Sequence, residues 1–281
     1  MSEKSIQPKV NGLLANTDRV ILRLNKLIAS PGGLSTFLST VNYTLYLLTY
    51  LEAKSGPFKA RLDALLQRNA ATAGKTVAIP TGPSNIAALG SSISQTRTLL
   101  RCLGLFPMYA WARSLSGGAK GSDAVLHQIA VVQCAFYTIY QFLESAAFLT
   151  DVKVVPATWS SRWTASSGGT TAVIYKWSYR MWMFGIACDF VRMAREAQLT
   201  REKRARYTYK EKDDRSVAVA DQAADEKFYT DLVVPLAWFP MAFHYSEWNG
   251  AGVPGWNLGW MGFSGLVASY TKAKNQWAAT A

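Results

Sequence analysis

Apolar positions recur along the chain with the 3.6-residue period of helices, and no stretch sustains the two-residue alternation of a half-buried strand. After Asn16 and Thr17, both suited to cap a helix, Val20, Ile21, Leu24, Leu27 and Ile28 share one side of a helical wheel. Arg19, Arg23 and Lys26 fall on the other side, which makes a basic amphipathic helix. Farther on, Leu99, Leu103, Phe106 and Ala110 follow i, i+4, i+7, i+11 spacing with Leu100 beside them, while Arg97 and Arg101 share the opposite face with Thr98. Pro107 is expected to end or kink that helix, because Arg113 would otherwise land on its apolar side. By pattern alone, either helix suits the surface of a soluble bundle as well as it suits a membrane interface.

The charge-free runs carry the next level of organisation, since a charge at the bilayer centre costs at least ~2.5 kcal/mol. Residues 27–51 form one such run, broken by Pro31-Gly32-Gly33, and the remainder, 34–51, is expected to be a buried or interfacial helix. Residues 124–143 form another, but with His127, Gln128, Gln133 and Gln141 they read equally as a core helix or a span. Residues 232–246 are interrupted by Pro235 and Pro240 and suit a segment that dips into a membrane. Residues 248–271 have Trp248, Trp256, Trp260 and Tyr270 at and near their ends and are followed by Lys272 and Lys274. They are the best transmembrane candidate, alone or as the second arm of a hairpin over about 228–271. Between the runs, residues 70–92 and 153–171 are rich in small residues, Gly and Pro and read as linkers, which places an N-terminal region at 1–152 and a C-terminal one at 153–281.

Residues 175–195 are the most distinctive block. Trp177, Met181, Phe184, Cys188 and Val191 recur as a seam for packing on another helix, and Lys176 and Arg180 lie on a different face, available to pair with Asp189. The net-positive stretch from Arg192 to Arg215 is expected to extend that helix and to face the cytosol. The fold class that follows is all-α: a membrane-associated helical bundle with amphipathic interfacial helices and a C-terminal transmembrane segment or hairpin.

Composition narrows the functional classes. Of the 281 residues, 49% are hydrophobic and only 17% charged, against roughly 25% in an average soluble domain. The mean hydropathy of +0.03 is too low for a many-span transporter. The 10 Trp, 13 Tyr and 12 Phe are too much apolar surface for a disordered chain. Thirty basic against 18 acidic residues leave a net charge of +12, an attraction to nucleic acid or to anionic lipid. Abundant Trp and Tyr favour lipid. Cys102, Cys134 and Cys188, odd in number and widely spaced, suit a reducing compartment. The first residues lack the apolar core of a secretory signal, so the chain is expected in, or facing, the cytosol.

Catalytic chemistry has little to build on. His127 and His244 are the only histidines and form no HExxH array. Gly250, Gly252 and Gly255 satisfy GxGxxG, but Pro254 occupies the motif and no strand precedes it. Gly74-Lys75-Thr76 lacks the first glycine of a P-loop, since position 69 is Asn69. No catalytic, cofactor-binding or metal-binding residue is assigned, and the chain is not expected to be an enzyme.

The order of these elements resembles the peroxin-eleven family of peroxisomal membrane proteins, and most of all its fungal, gamma-like members. The resemblance covers roughly residues 15–275 and rests on the N-terminal amphipathic helix, the TRTLLRCLGL segment at 96–105, the 175–195 block with its basic continuation, and the apolar segment near the C-terminus. Many family members have a basic residue and proline directly after the Leu-Gly of that first motif, whereas here Leu105 and Phe106 precede Pro107. The resemblance implies non-enzymatic work: an amphipathic helix, here about 93–106, inserts into the cytosolic leaflet and elongates the peroxisomal membrane before fission. Leu99, Leu100, Leu103 and Phe106 would then be the wedge and Arg97 and Arg101 the headgroup contacts, with Arg19, Arg23 and Lys26 as a second basic set. The physics of a one-sided wedge with arginines on anionic headgroups agrees. Expected partners are an anionic phospholipid membrane, further copies of the chain and, by the resemblance alone, dynamin-type fission machinery with its membrane adaptor. The basic stretch and both termini are expected on the cytosolic side. Two competing readings are a solute channel lined by Gln128, Gln133 and Gln141 in an oligomer, and a soluble basic helical protein that binds nucleic acid.

Overall fold

Local sequence chemistry sets the helix starts. In a computed structural model, which describes residues 7–56, 84–121, 123–207, 215–248, 250 and 252–281, the second helix begins where Ser30 accepts a hydrogen bond from the Gly33 amide (3.0 Å) and Pro31 occupies the first turn. Pro31 therefore starts this helix where the sequence pattern suggested a break. Ser84, Asp123 and Asn257 cap later helices in the same way. The elements are α1 (Gln7–Ile28), α2 (Pro31–Lys54), α3 (Asn85–Arg101), a 3-10 turn (Cys102–Gly104), α4 (Leu105–Leu115), α5 (Ala124–Asp151), α6 (Ala157–Thr164), a second 3-10 turn (Ala165–Ser167), α7 (Ala172–Ala205), α8 (Arg215–Ser246) and α9 (Leu258–Ala278). No strand occurs among the described residues.

Several boundaries differ from expectation. Asn16 and Thr17 lie inside α1, which starts earlier, at Gln7. The stretch 93–106 is two helices joined by a 3-10 turn. Pro107 sits in the first turn of α4, where its missing amide costs nothing. Of the segment 70–92 read as a linker, residues 85–92 are helical and residues 70–83 lie outside the described residues. The linker at 153–171 contains α6 and ends on Gly168 and Gly169, both at positive φ. Residues 248–271 are not one helix. The chain turns through Gly250, Gly252 and Gly255, all at positive φ, and α9 starts only at Leu258. Among the described residues no helix is long and apolar enough to cross a membrane.

Neighbouring helices are antiparallel and close a ring: α2 packs on α9, α9 on α8, α8 on α7, α7 on α5, and α3 with α4 bridges α5 back to α2. The α5–α7 and α2–α9 pairs are the most extensive, so helices from before and after residue 152 interleave in one bundle. Tyr43 of α2, Trp238 of α8 and Trp182 of α7 form an edge-to-face chain through the interior, continued by Tyr140 of α5. The α2–α9 pair is close because α9 puts Gly259, Gly262 and Gly265 on the contact. A Cβ at Gly262 would lie 2.7 Å from the Tyr43 carbonyl oxygen and the Leu47 amide nitrogen. These glycines lower intrinsic helix propensity, and close packing offsets that cost.

The antiparallel order divides the molecule into two ends. One gathers the end of α5, the start of α7, the end of α8 and the start of α9, joined by Thr171 donating to Asp151, Arg180 to the Ser246 carbonyl and Lys176 to Glu247. Trp159, Trp163, Trp177, Trp248 and Trp260 are exposed there. At the other end α1 meets the C-terminal end of α9, while α7 and α8 run on as a charged pair held by Arg204 with Asp221 (3.3 Å) and Asp225 (2.9 Å).

Candidate membrane-facing surface and the polar interior behind it

The apolar side of α3 and α4 faces outward. Leu99, Leu103 and Phe106 are 54%, 60% and 74% exposed, with Leu100 beside them and Tyr109 continuing the ridge. On a helix advancing 100° per residue, Arg97 and Arg101 must then point the other way, into the bundle. Arg101 forms a two-pronged ion pair with Glu144 of α5: Nε to Oε2 is 2.6 Å and Nη2 to Oε1 is 2.9 Å. The Glu144 side chain is 3% exposed, and the Tyr140 hydroxyl adds a hydrogen bond at 3.3 Å. Arg97 lies over the Tyr43 ring (5.0 Å) and donates from Nη2 to Ser39 Oγ (3.1 Å). With its amide turned so that the oxygen faces Arg97, Asn42 accepts from Arg97 Nη1 (3.0 Å) and donates to the Gly90 carbonyl (2.8 Å).

The structure thus places the two sets of residues differently. Leu99, Leu100, Leu103 and Phe106 stand on the surface, while Arg97 and Arg101 are half-buried and engaged by α2 and α5. The reason is the turn at Cys102–Gly104. There Gln141 of α5 donates to the Arg101 carbonyl and fills the space that a Cβ at Gly104 would need, which draws the polar side of α3 onto the bundle.

The N-terminal basic set divides in a similar way. Arg23 donates to the Trp277 carbonyl (2.7 Å) and to Thr280 Oγ1 (3.1 Å) while lying over the Trp277 ring, and Lys26 reaches the Thr280 carbonyl (3.4 Å). These cations meet the carbonyl end of α9, where the helix dipole favours positive charge. Arg19 is exposed, as are Val20, Ile21 and Ile28, while Leu27 is buried.

The seam read along α7 is displaced. Trp177 and Val191 are exposed, Met181, Phe184 and Cys188 half-buried, and the buried positions are Ile174, Ser178, Met183, Gly185, Ile186 and Met193. Small residues decide this. Gly185 lets the Tyr137 ring approach to 2.7 Å from where its Cβ would be, and its carbonyl accepts from Gln133 (2.9 Å). Asp189 pairs with Arg192 one turn away (3.2 Å), whereas Lys176 pairs with Glu247 and Arg180 lies over Trp177 and Trp248. His244 accepts from the Val253 amide at Nδ1 (3.0 Å) and stacks on Trp256, which ties down the turn before α9. Gln133 and Gln141 join helices and Gln128 is exposed, so these glutamines do not share one lining.

Beside a hydrophobic core around Met183, Ile186 and Ala242, the bundle buries polar residues and exposes large apolar ones. Asn42, Gln133, Gln141, Glu144, Ser178 and Ser264 are buried, while Leu99, Leu103, Phe106, Phe142, Trp260 and Phe263 are exposed. Soluble bundles bury the second kind, whereas helices packed in lipid are joined by small and polar residues. The arrangement defines the class of protein as an all-α helical bundle. The sequence profile of the family Peroxisomal biogenesis factor 11 (PEX11) matches residues 70–277, and the chain belongs to that family. Searches of curated proteins and of solved structures returned no significant match. Family membership gives the protein a peroxisomal association and a role in proliferation of the peroxisomal membrane.

Sequence reasoning missed Glu144, Asn42 and the glycine contact of α9. A signal existed for Glu144, an isolated acid directly after the uncharged run 124–143. None existed for Asn42, whose role needs Arg97 and Gly90 brought from another helix.

Proposed function

We propose that the protein elongates the peroxisomal membrane by placing the outward apolar ridge of α3 and α4 in the cytosolic leaflet, upstream of dynamin-type fission machinery. The observation that carries this reading is the pairing of an exposed ridge, Leu99, Leu100, Leu103 and Phe106, with an ion pair behind it in which half-buried Arg101 meets buried Glu144. Apolar side chains seated ~5–10 Å deep expand one leaflet relative to the other. The internal ion pair keeps the ridge pointed outward without placing a bare charge in lipid. Attraction to anionic phospholipid then comes from cations outside the ridge, among them the exposed Arg19 and the basic end of α7. The contact of α1 with the end of α9 supports a topology with both termini on one side, together with the charged extension of α7 and α8. The α8–α9 hairpin is the part of the bundle we assign to the membrane interior.

The test is tubulation of vesicles containing anionic phospholipid by the full-length protein. Leu99→Asp combined with Leu103→Asp should abolish tubulation while helix content by circular dichroism is unchanged. Undiminished tubulation would remove the ridge from the mechanism. In cells, the tagged protein should rim a peroxisomal matrix marker, and raised expression should elongate those organelles.

A further inference from the structure

A cavity of about 590 Å3 lies in the cleft between α8 and α9, in the ~300–1,000 Å3 range of small-molecule sites. Val233, Leu236 and Pro240 wall it on one side, Trp260 and Phe263 on the other, and Pro254 and Trp256 flank the end nearest the turn before α9. No charged side chain lines it. Pro235 and Pro240 lack the amides that would bond the Asp231 and Leu236 carbonyls, and this interrupts the ladder of α8 beside the cleft.

We propose that this cleft binds one acyl chain of a membrane phospholipid, an inference that rests on the membrane reading above. Three observations select that occupant. The walls offer nothing to a peptide backbone, whose amides and carbonyls would be buried without partners. The floor is tied shut where Ser264 donates to the Ala237 carbonyl, so a helix about 10–12 Å across cannot enter. The mouth, at Pro254 and Trp256, belongs to the end where Trp159, Trp163, Trp248 and Trp260 are exposed, the composition found at ester and headgroup depth. A chain entering there from the interface runs along the cleft towards Val233 and Val267, continuous with the outward apolar surface. His244, stacked on Trp256 and hydrogen-bonded to Val253, holds the mouth open.

The experiment uses the full-length protein in phosphatidylcholine vesicles doped with a phospholipid that carries a photoactivatable diazirine in its acyl chain, with labelled peptides mapped by mass spectrometry. Labelling should concentrate on 233–240 and 253–267 and exceed that of 99–109. Val267→Phe fills the cleft from within. Displacing contact worth about two methylenes should lower cleft labelling about tenfold. Val233→Phe, at an exposed position on the rim, should do the same without disturbing the packed side of α8. Equal labelling of the cleft and of 99–109, unchanged in both variants, would overturn the site and leave membrane contact intact. Loss of cleft labelling as the protein-to-lipid ratio rises, with labelling of 99–109 unchanged, would give the cleft to a second copy and overturn the lipid as occupant. No labelling of either region would overturn the membrane reading itself.

Discussion

Both guanidinium branches of Arg101 that face α5 are taken by the two oxygens of Glu144, at 2.6 and 2.9 Å, on the side of α3 away from Leu99. One contact thereby determines what the outer side of α3 presents. Glu144→Ala leaves a cation partly buried without a partner and should destabilise the bundle by about 1.5–3 kcal/mol. That is less than the ~3–5 kcal/mol of a fully buried pair, since Arg101 keeps some access to solvent. Arg101→Met with Glu144→Leu should recover much of the loss, as read by denaturant unfolding of the detergent-solubilised protein.

Close helix contact predicts an asymmetry among glycines. Gly262→Ala drives a methyl against the backbone of Tyr43 and Leu47, which cannot move aside, and overpacking of this kind costs about 1–3 kcal/mol. Gly56→Ala meets nothing within 4 Å and should leave the melting temperature unchanged.

The Asp123 carboxyl is held down to about 2, first by its hydrogen bond with Arg195 and then by the Leu126 amide it caps. A carboxyl lowered on folding from 3.8 contributes stability that is complete above about pH 4 and lost as pH falls towards 2. Asp123→Asn keeps a good cap but not the charge. The variant's stability should therefore fall short of wild type at pH 6 and converge with it near pH 2, measured by thermal unfolding across that range.

Arg23 at the end of α9 gives a test that separates docking from lipid contact. Arg23→Ala removes a charge-assisted bond to the Trp277 carbonyl and should free α1, at a cost of about 1 kcal/mol. Hydrogen exchange in α1 should rise equally in neutral and anionic vesicles. A rise confined to anionic vesicles would instead mean that Arg23 serves headgroups.

The helices and their amphipathic sides were legible because periodicity is a local property. Leu99, Leu103 and Phe106, which the spacing puts on one side, all lie exposed across α3, the 3-10 turn and α4. What lies across from a side was not legible, and the partners of Arg97, Arg101 and Arg23 come only from the structure. An arginine on a polar face looks the same in sequence whether water, a headgroup or Glu144 is opposite. The seam on α7 shifted for a related reason: large side chains mark a periodic stripe, but contact distance is set by the smallest residues, Gly185 and Ser178.

The sequence by itself determined that this is an all-α, basic, aromatic-rich chain of the peroxin-eleven family, because spacing, charge and composition are carried by each segment alone. Only the tertiary structure decided that the polar residues of α2, α3 and α5 turn towards one another and the leucines turn out. That choice depends on pairing Arg101 with an acid 43 residues away, and a buried charge is stable only where its partner already stands.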